Sequence, residues 1–234
     1  MRMMVMKRFM IPAAALVLFG GAYACQQADD AEARTPRASR QASQAAVAGE
    51  SKAAVRYVTA SEGNAARYRI REQLVGLDLP NDAVGETKNV SGVIAADASG
   101  KVIPAESKFT VDVSTLVSDK QRRDRFVGGR VLETEQFPTV TLVPTSIRGL
   151  TLPLPKSGAK SFELVGNLTV RGSTRPTTWK VTAQFQSDRM KGTAATAFTF
   201  DDFSIQQPRV PVVLSVADTI KLEIDFTMVP APAK

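Results

Sequence analysis

Apolar and polar side chains alternate along several segments between Ser107 and Met228. In residues 178–185 the odd positions are Trp, Val, Ala and Phe, whereas the even positions are Thr, Lys, Thr and Gln. Residues 108–114 and 221–228 show the same pattern. A period of two places apolar side chains on one face of a strand and polar ones on the other. Several such strands, without long amphipathic helices to cover them, have to bury their apolar faces inside a barrel or between two sheets.

The first 24 residues are predicted to be an export signal and not part of the folded domain. Arg2, Lys7 and Arg8 give this segment a charged start, residues 11–19 form an apolar run, and Ala22-Tyr23-Ala24 is a small-residue cleavage site. The apolar run is too short for a membrane span with these flanking residues.

Cys25 follows the cleavage site directly and is the only cysteine of the chain. One cysteine cannot form an internal disulfide or a thiolate metal cluster. Its position resembles the bacterial lipobox, in which the cysteine carries lipid and becomes the mature N-terminus. The Ala22-x-Ala24 pattern suits ordinary signal peptidase equally, which would release a soluble protein. We therefore expect a membrane-anchored periplasmic lipoprotein, with a soluble periplasmic or secreted protein as the alternative.

The remaining chain is predicted to consist of a flexible tether (25–53), one folded domain (54–230) and a short tail (231–234). The tether is rich in Ala, Gln, Ser, Asp and Arg and has too few bulky apolar residues to bury a core. Within the folded domain, turn signals separate nine predicted strands. These strands are 55–60, 67–75, 88–96, 106–116, 139–148, 161–171, 177–187, 191–200 and 219–229.

Residues 119–136 break the strand pattern. Charged residues recur here at helical spacing, and Gly128-Gly129 interrupts any single long helix. We predict one or two short helical turns that end before Pro138. A second, shorter interruption is expected at residues 201–205, where Asp201 and Asp202 are adjacent.

Seven motifs, in this order along the chain, resemble the YceI-like family of bacterial exported proteins. They are 109–116 (FTVDVSTL), 123–125 (RDR), 135–142 (EQFPTVTL), 166–172 (GNLTVRG), 174–181 (TRPTTWKV), 198–205 (FTFDDFSI) and 218–224 (DTIKLEI). The resemblance covers residues 55–229. It implies an all-β fold, namely an antiparallel, eight-stranded, lipocalin-like barrel with a short helical excursion at its rim. It also implies that a long isoprenoid lipid, such as a polyprenol or quinone, binds in an apolar lumen without catalysis.

The alternation and the helical excursion together give a set of residues for this lumen and its rim. Most inward side chains are medium-sized, which leaves space for a lipid chain in a barrel of eight strands. The candidate lipid-binding residues are Phe109, Val111, Val113, Phe126, Leu132, Leu142, Leu164, Leu168, Trp179, Val181, Phe200 and Ile224. Arg123 and Arg125 are expected either to meet a polar headgroup or to lie in solvent or pair with Asp124 or Glu133.

Composition argues against several other functions. The chain has no histidine, so the Ser-His-Asp triad and imidazole metal sites are excluded, and no enzyme, metal site or cofactor other than a bound lipid is expected. The net charge is +7, but acidic and basic residues are mixed along the chain without a long basic run, so nucleic-acid binding is not predicted.

Two alternative functions stay open. One is a stress-protective or interaction protein with a solidly packed barrel, and the other is an auxiliary that delivers quinone to a redox chain. The sequence identifies no protein partner.

Overall fold

A computed structural model describes residues 53–231 of the protein. Eleven strand segments and one short α-helix, α1 (Gln121–Phe126), account for most of this part. The strands are β1 (Val55–Thr59), β2 (Ala65–Leu74), β3 (Asn81–Thr87), β4 (Val90–Ala96), β5 (Lys108–Asp112), β6 (Val117–Ser118), β7 (Thr139–Arg148), β8 (Gly158–Val170), β9 (Ser173–Phe185), β10 (Met190–Thr199) and β11 (Val213–Pro230).

The eleven segments form eight barrel strands, because three pairs of consecutive segments each continue along the same neighbour. β1 and β2 both pair with β11. On their other side, β4 pairs with β1 and β3 pairs with β2. β5 then pairs with β4, and β6 pairs with β3. The remaining strands pair in chain order from β7 to β11, and β7 pairs with β5. All pairings are antiparallel, and the β1–β11 pairing closes the ring. The predicted eight-stranded antiparallel barrel is confirmed.

The connections divide the barrel into two ends. Because neighbouring strands run in opposite directions, residues 75–80, 119–138, 171–172 and 200–212 all lie at one end, which we call the mouth. Residues 97–107, 149–157 and 186–189 lie at the other end, the base. A cluster of Ala183, Phe185, Met190 and Met228 is buried at the base. The long connections with helical turns are therefore all at the mouth, apart from a single turn at Pro104–Glu106.

Alternation along the strands separates the interior from the outer wall as predicted. On β9, Trp179, Val181, Ala183 and Phe185 are buried while the residues between them are exposed. On β2 the outward residues Arg67 and Arg69 each pair with carboxylates on both neighbouring strands. Arg67 Nη1 lies 2.7 Å from Asp225 Oδ2, and Arg69 Nη1 lies 3.3 Å from Asp82 Oδ2. These exposed ion pairs support the register of β3, β2 and β11, although each contributes about 1 kcal/mol or less.

Most predicted strands agree with the structure to within four residues at each end, and three differences remain. The strand predicted at 88–96 is β4, but a further strand, β3, precedes it and was not predicted. The strand predicted at 106–116 is shorter, because Asp112 accepts a hydrogen bond from the Ser114 backbone N–H at 3.0 Å and starts a 3-10 turn at Val113–Thr115. The last strand begins at Val213 and not at 219. It pairs with β10 over residues 219–228 and with β2 over residues 213–225.

Candidate functional site

The barrel encloses a cavity of about 1140 Å³. Its lining comes from every barrel strand and reaches from Leu74 and Val213 at the mouth to Leu150 and Met228 at the base. Apolar side chains predominate along this length. A cavity of this size is slightly larger than the range of about 300–1,000 Å³ that is typical of small-molecule pockets. The barrel is therefore not packed solid, and its interior has room for an extended apolar ligand.

All twelve candidate residues line this cavity. Ten are lumen residues: Phe109, Val111, Val113, Leu142, Leu164, Leu168, Trp179, Val181, Phe200 and Ile224. Phe126 and Leu132 line it from the helical segment at the mouth. That these residues contact a lipid stays a prediction. Cys25, the predicted lipid anchor, lies outside the described residues.

The lining residues differ in how much surface they leave free. Leu168, Trp179 and Val181 are almost fully buried among their neighbours, and Trp179 Nε1 donates a hydrogen bond to Thr177 Oγ1 at 3.0 Å. Val111 and Ile224 are only partly buried although their side chains point inward, so their free surface faces the cavity. The wall is thus a packed layer with an apolar inner surface that is available to a ligand.

Two glycines keep large aromatic rings against the wall. Gly85 pairs with Tyr68 and Gly92 pairs with Phe109 across neighbouring strands. In both cases a Cβ atom at the glycine would overlap the ring of its partner. The absence of this atom lets each ring lie flat over the adjacent backbone. The space in the centre of the barrel therefore remains free despite these bulky side chains.

A helical segment covers the mouth, as predicted. It consists of α1 and a following π-helical turn, Val127–Leu132, and we call it the cap segment. Gly128 and Gly129 do not break the helical path but lie where α-helix changes to π-helix. Glu133, which follows, has a left-handed backbone conformation with φ of 52° and ends the segment.

Ion pairs fix the cap segment to the barrel. Arg123 Nη2 lies 2.7 Å from Glu72 Oε1 of β2, and the side chains are only 13% and 9% exposed. At the far end, Arg171 Nη2 in the β8–β9 turn lies 2.5 Å from Glu133 Oε1. Because the Glu72–Arg123 pair is buried, loss of one partner would leave an uncompensated buried charge. The pair therefore holds the cap segment in place on β2.

These contacts correct one prediction about the arginines. Arg123 pairs with Glu72 and Asp119 and not with Asp124 or Glu133. The Asp124 carboxylate instead accepts a hydrogen bond from the Ser118 backbone N–H at 2.9 Å. Arg125 has no ion-pair partner in residues 53–231 and lines the cavity at the mouth.

Tyr68, Glu72 and Arg123 form a small polar group inside the lumen beneath the cap segment. Burial of the Tyr68 hydroxyl raises its pKa to about 12, and the charge of Arg123 opposes this shift. The hydroxyl therefore remains protonated at physiological pH. It can donate a hydrogen bond to the polar end of a ligand or accept one from it.

Tyr68 also gives a pH-dependent prediction. Because its pKa is higher in the folded state than the ordinary value near 10, its contribution to stability is complete below pH 10 and is lost as the pH rises towards 12. Tyr68→Phe should reduce the alkaline loss of stability over this interval. Denaturant titrations at several alkaline pH values check this, and a loss as steep as that of the parent would contradict it. A tyrosinate absorbance titration of the same variant should lack the step near pH 12.

Sequence reasoning missed the polar residues of β2. Tyr68 and Glu72 occupy the inward series Ala66, Tyr68, Ile70, Glu72 and Leu74. A carboxylate inside an otherwise apolar period-two stripe was a signal in the sequence, because a buried charge needs a partner. The partner itself, Arg123, is 51 residues away and could not be identified from local pattern.

The adjacent carboxylates Asp201 and Asp202 lie in the 3-10 turn that follows β10. The Asp202 carboxylate accepts hydrogen bonds from the Thr199 backbone N–H at 2.7 Å and from the Thr199 hydroxyl at 2.9 Å. The backbone hydrogen bond is the largest cause of the lowered pKa of Asp202. Within residues 53–231, no group of three or more Asp, Glu, His or Cys side chains could hold a metal ion. The helices in this same range are all too short or too polar to span a membrane.

Comparison with known proteins identifies the family. The model of the YceI-like domain matches residues 57–228, which is nearly all of the barrel. This chain belongs to the YceI-like family. Among curated relatives, a protein of Pseudomonas putida named UPF0312 is 28% identical over 133 residues, covering 53% of this chain and 64% of the relative. A namesake from Pseudomonas fluorescens is 29% identical with the same coverage. The chain thus spans a little under two thirds of the length of these relatives.

Three solved structures show the same fold. A polyisoprenoid binding domain from Saccharophagus degradans, described as implicated in plant cell wall breakdown, has a TM-score of 0.56 at 9% identity and covers 76% of this chain and 99% of its own. Burkholderia cenocepacia BcnA has a TM-score of 0.51 at 17% identity, with coverages of 70% and 95%. The YceI protein of Campylobacter jejuni has a TM-score of 0.50 at 16% identity, with coverages of 68% and 91%. At these identities the likeness concerns the fold alone.

Proposed function

We propose that this protein binds an isoprenoid-type lipid, a polyprenol or quinone, in the lumen of its barrel and does not catalyse a reaction. The observation that carries the proposal is the continuous apolar cavity of about 1140 Å³ that runs along the barrel. The polyisoprenoid-binding function in the name of the Saccharophagus degradans domain supports the same ligand class. Membership of the YceI-like family is consistent with it.

Hydrocarbon burial supplies the driving force for this binding. Each methylene group removed from water contributes about 0.8 kcal/mol, so a chain of several isoprene units gains enough to offset its loss of conformational freedom. The lining offers few hydrogen-bonding groups along most of its length, which suits a chain that has none. The polar residues near the mouth would determine which headgroup is bound.

The lipid is oriented with its polar end at the mouth. Tyr68, Glu72 and Arg123 lie beneath the cap segment, whereas the cluster at the base consists of Ala183, Phe185, Met190 and Met228. A buried polar headgroup needs hydrogen-bonding partners, and the mouth provides them. The apolar tail would then extend towards the base.

Mass spectrometry of organic extracts from the purified protein tests the proposal. A polyprenyl or quinone lipid should co-purify, and adding that lipid to stripped protein should raise the melting temperature and change the fluorescence of Trp179, the only tryptophan. Extracts without prenyl lipid, together with an unchanged melting temperature on lipid addition, would refute it. That result would favour the alternative of an interaction protein that acts through its surface.

We further propose that Cys25 carries lipid and anchors the protein in the periplasm. This proposal rests on the signal-like residues 1–24 and on the position of the single cysteine. Cys25→Ser should leave the precursor uncut or shift the protein to the soluble fraction, since the modified thiol is removed. Fractionation and intact mass of parent and variant provide the test. An unacylated parent whose membrane partition equals that of the variant would contradict the anchor.

A further inference from the structure

Most of the exposed large apolar side chains lie at the mouth of the barrel. Val75, Leu77 and Leu79 are in the β2–β3 connection, Val212 ends the β10–β11 connection, and Leu214 is at the start of β11. We call these five residues the mouth face. Leu79 is 77% exposed and Leu214 is 66% exposed. Exposed apolar clusters of this kind on a soluble domain mark a binding surface.

The two parts of the mouth face are held together. The Val75 backbone N–H donates a hydrogen bond to the Val212 carbonyl oxygen at 3.1 Å, and Leu74 pairs with Val213. Val75 and Val212 also line the cavity, so the mouth face continues into the lumen without an intervening polar layer. The apolar surface outside the barrel and the apolar surface inside it are therefore contiguous.

Positive charge lies beside this apolar surface. Arg122, Arg125 and Arg130 of the cap segment are exposed and line the cavity, and none of them forms an ion pair within residues 53–231. At the mouth, the cavity lining contains five cationic side chains, all in residues 120–130, and one carboxylate, that of Glu72, which pairs with Arg123. Asp78 is the one acid in the β2–β3 connection. Apolar side chains and the three unpaired arginines of the cap segment therefore border the opening of the cavity.

We propose that the mouth face docks on the surface of an anionic lipid bilayer. Such a surface offers hydrocarbon to the five apolar side chains and negative headgroups to the three unpaired arginines. Docking in this orientation places the cavity opening against the acyl region, so an apolar chain could pass into the lumen without crossing water. The proposal goes beyond lumen binding and does not depend on it, since the same face would dock if the lumen held no lipid.

Amide hydrogen exchange of the full-length protein, with and without vesicles, tests this docking. Vesicles of phosphatidylcholine containing phosphatidylglycerol should slow exchange in residues 75–80 and 208–214, whereas the base connection 186–189 should not change. Vesicles of phosphatidylcholine alone should protect the mouth much less. Because the measurement is local, attachment through Cys25 cannot by itself produce this pattern.

Two sets of variants separate the contributions of charge and apolar contact. Each arginine near an anionic surface is expected to contribute about fivefold to partitioning, so replacing Arg122, Arg125 and Arg130 by Gln should raise the vesicle concentration for half-maximal protection roughly 100-fold. The matched control replaces three exposed outer-wall lysines, Lys180, Lys191 and Lys221, by Gln and should have little effect.

Leu79→Glu should likewise abolish protection of the mouth. Val117→Glu is its control, because Val117 is 63% exposed but pairs with Glu86 of β3 and is not part of the mouth face. Mouth protection that is absent with anionic vesicles, or equal for Leu79→Glu and the parent, would overturn the proposal. Protection that depends on protein concentration and not on vesicles would overturn it in favour of contact between copies. Prenyl lipid found in extracts of a non-docking parent would leave the proposed lumen function standing.

Discussion

Ile224→Trp is expected to abolish uptake of prenyl lipid while the barrel remains folded. Ile224 points into the cavity, and its neighbours on the two adjacent strands, Ala66 and Ala194, are both small. An indole at this position therefore has room to extend into the lumen and fill the space that the lipid would occupy. Overpacking costs about 1–3 kcal/mol, which a stable domain can tolerate. Lipid content by mass spectrometry, with a far-ultraviolet circular dichroism spectrum to confirm folding, measures the effect.

Lys221→Trp is the matched control for this experiment. Lys221 lies three residues before Ile224 on β11, is exposed and forms no ion pair within residues 53–231. The same indole is added there to the outer wall, so lipid uptake should equal that of the parent. A folded Ile224→Trp variant that binds prenyl lipid as tightly as the parent would show that the ligand does not lie in the barrel.

The sequence alone would have directed this experiment to less suitable positions. Period-two alternation correctly predicted that Val113 and Leu168 line the lumen, but it does not distinguish packed lining from free lining. Both residues are more than nine-tenths buried among neighbours, so an indole there would meet occupied space. Free surface depends on the side chains of adjacent strands, and these are set by register across the closed barrel.

The same limit explains which strands could be predicted. β7 was predicted with its observed bounds because its alternation is regular and Pro138 marks its start. β3 was missed because residues 81–87 (NDAVGET) include Asn, Asp, Gly and Glu, which are poor strand formers. These residues form a strand because β2 pairs with them along their length. The tertiary partner overrides local propensity here.

The polar part of the site was less accessible to prediction than the apolar part. Apolar lining follows from a local pattern, whereas the Glu72–Arg123 pair joins β2 to the cap segment across the mouth. Only closure of the barrel brings these two side chains together. The three unpaired arginines of the cap segment were equally hard to predict, because pairing depends on which arginines lie close to a carboxylate in the folded barrel.

Phe203→Ala is expected to be among the most destabilising single substitutions in the barrel. Phe203 lies in a 3-10 turn, Asp201–Phe203, between β10 and β11, and its side chain is only 1% exposed. Its ring contacts Phe198 edge to face with centroids 4.6 Å apart and belongs to the same core cluster as Leu168 and Trp179. Removal of a buried phenyl ring leaves a cavity and costs about 3–5 kcal/mol. Denaturant unfolding followed by Trp179 fluorescence measures this cost.

Leu214→Ala, at the start of β11, is the comparison variant for Phe203→Ala, because it also removes an apolar side chain but from an exposed position. Leu214 is among the exposed residues of the mouth face, so its truncation should change the free energy of unfolding by no more than about 0.5 kcal/mol. The m-values of both variants should match that of the parent, since the surface exposed on unfolding hardly changes. Equal stabilities of Phe203→Ala and Leu214→Ala would mean that the β10–β11 connection does not anchor the core. The mouth would then not be fixed in the position on which the opening of the cavity depends.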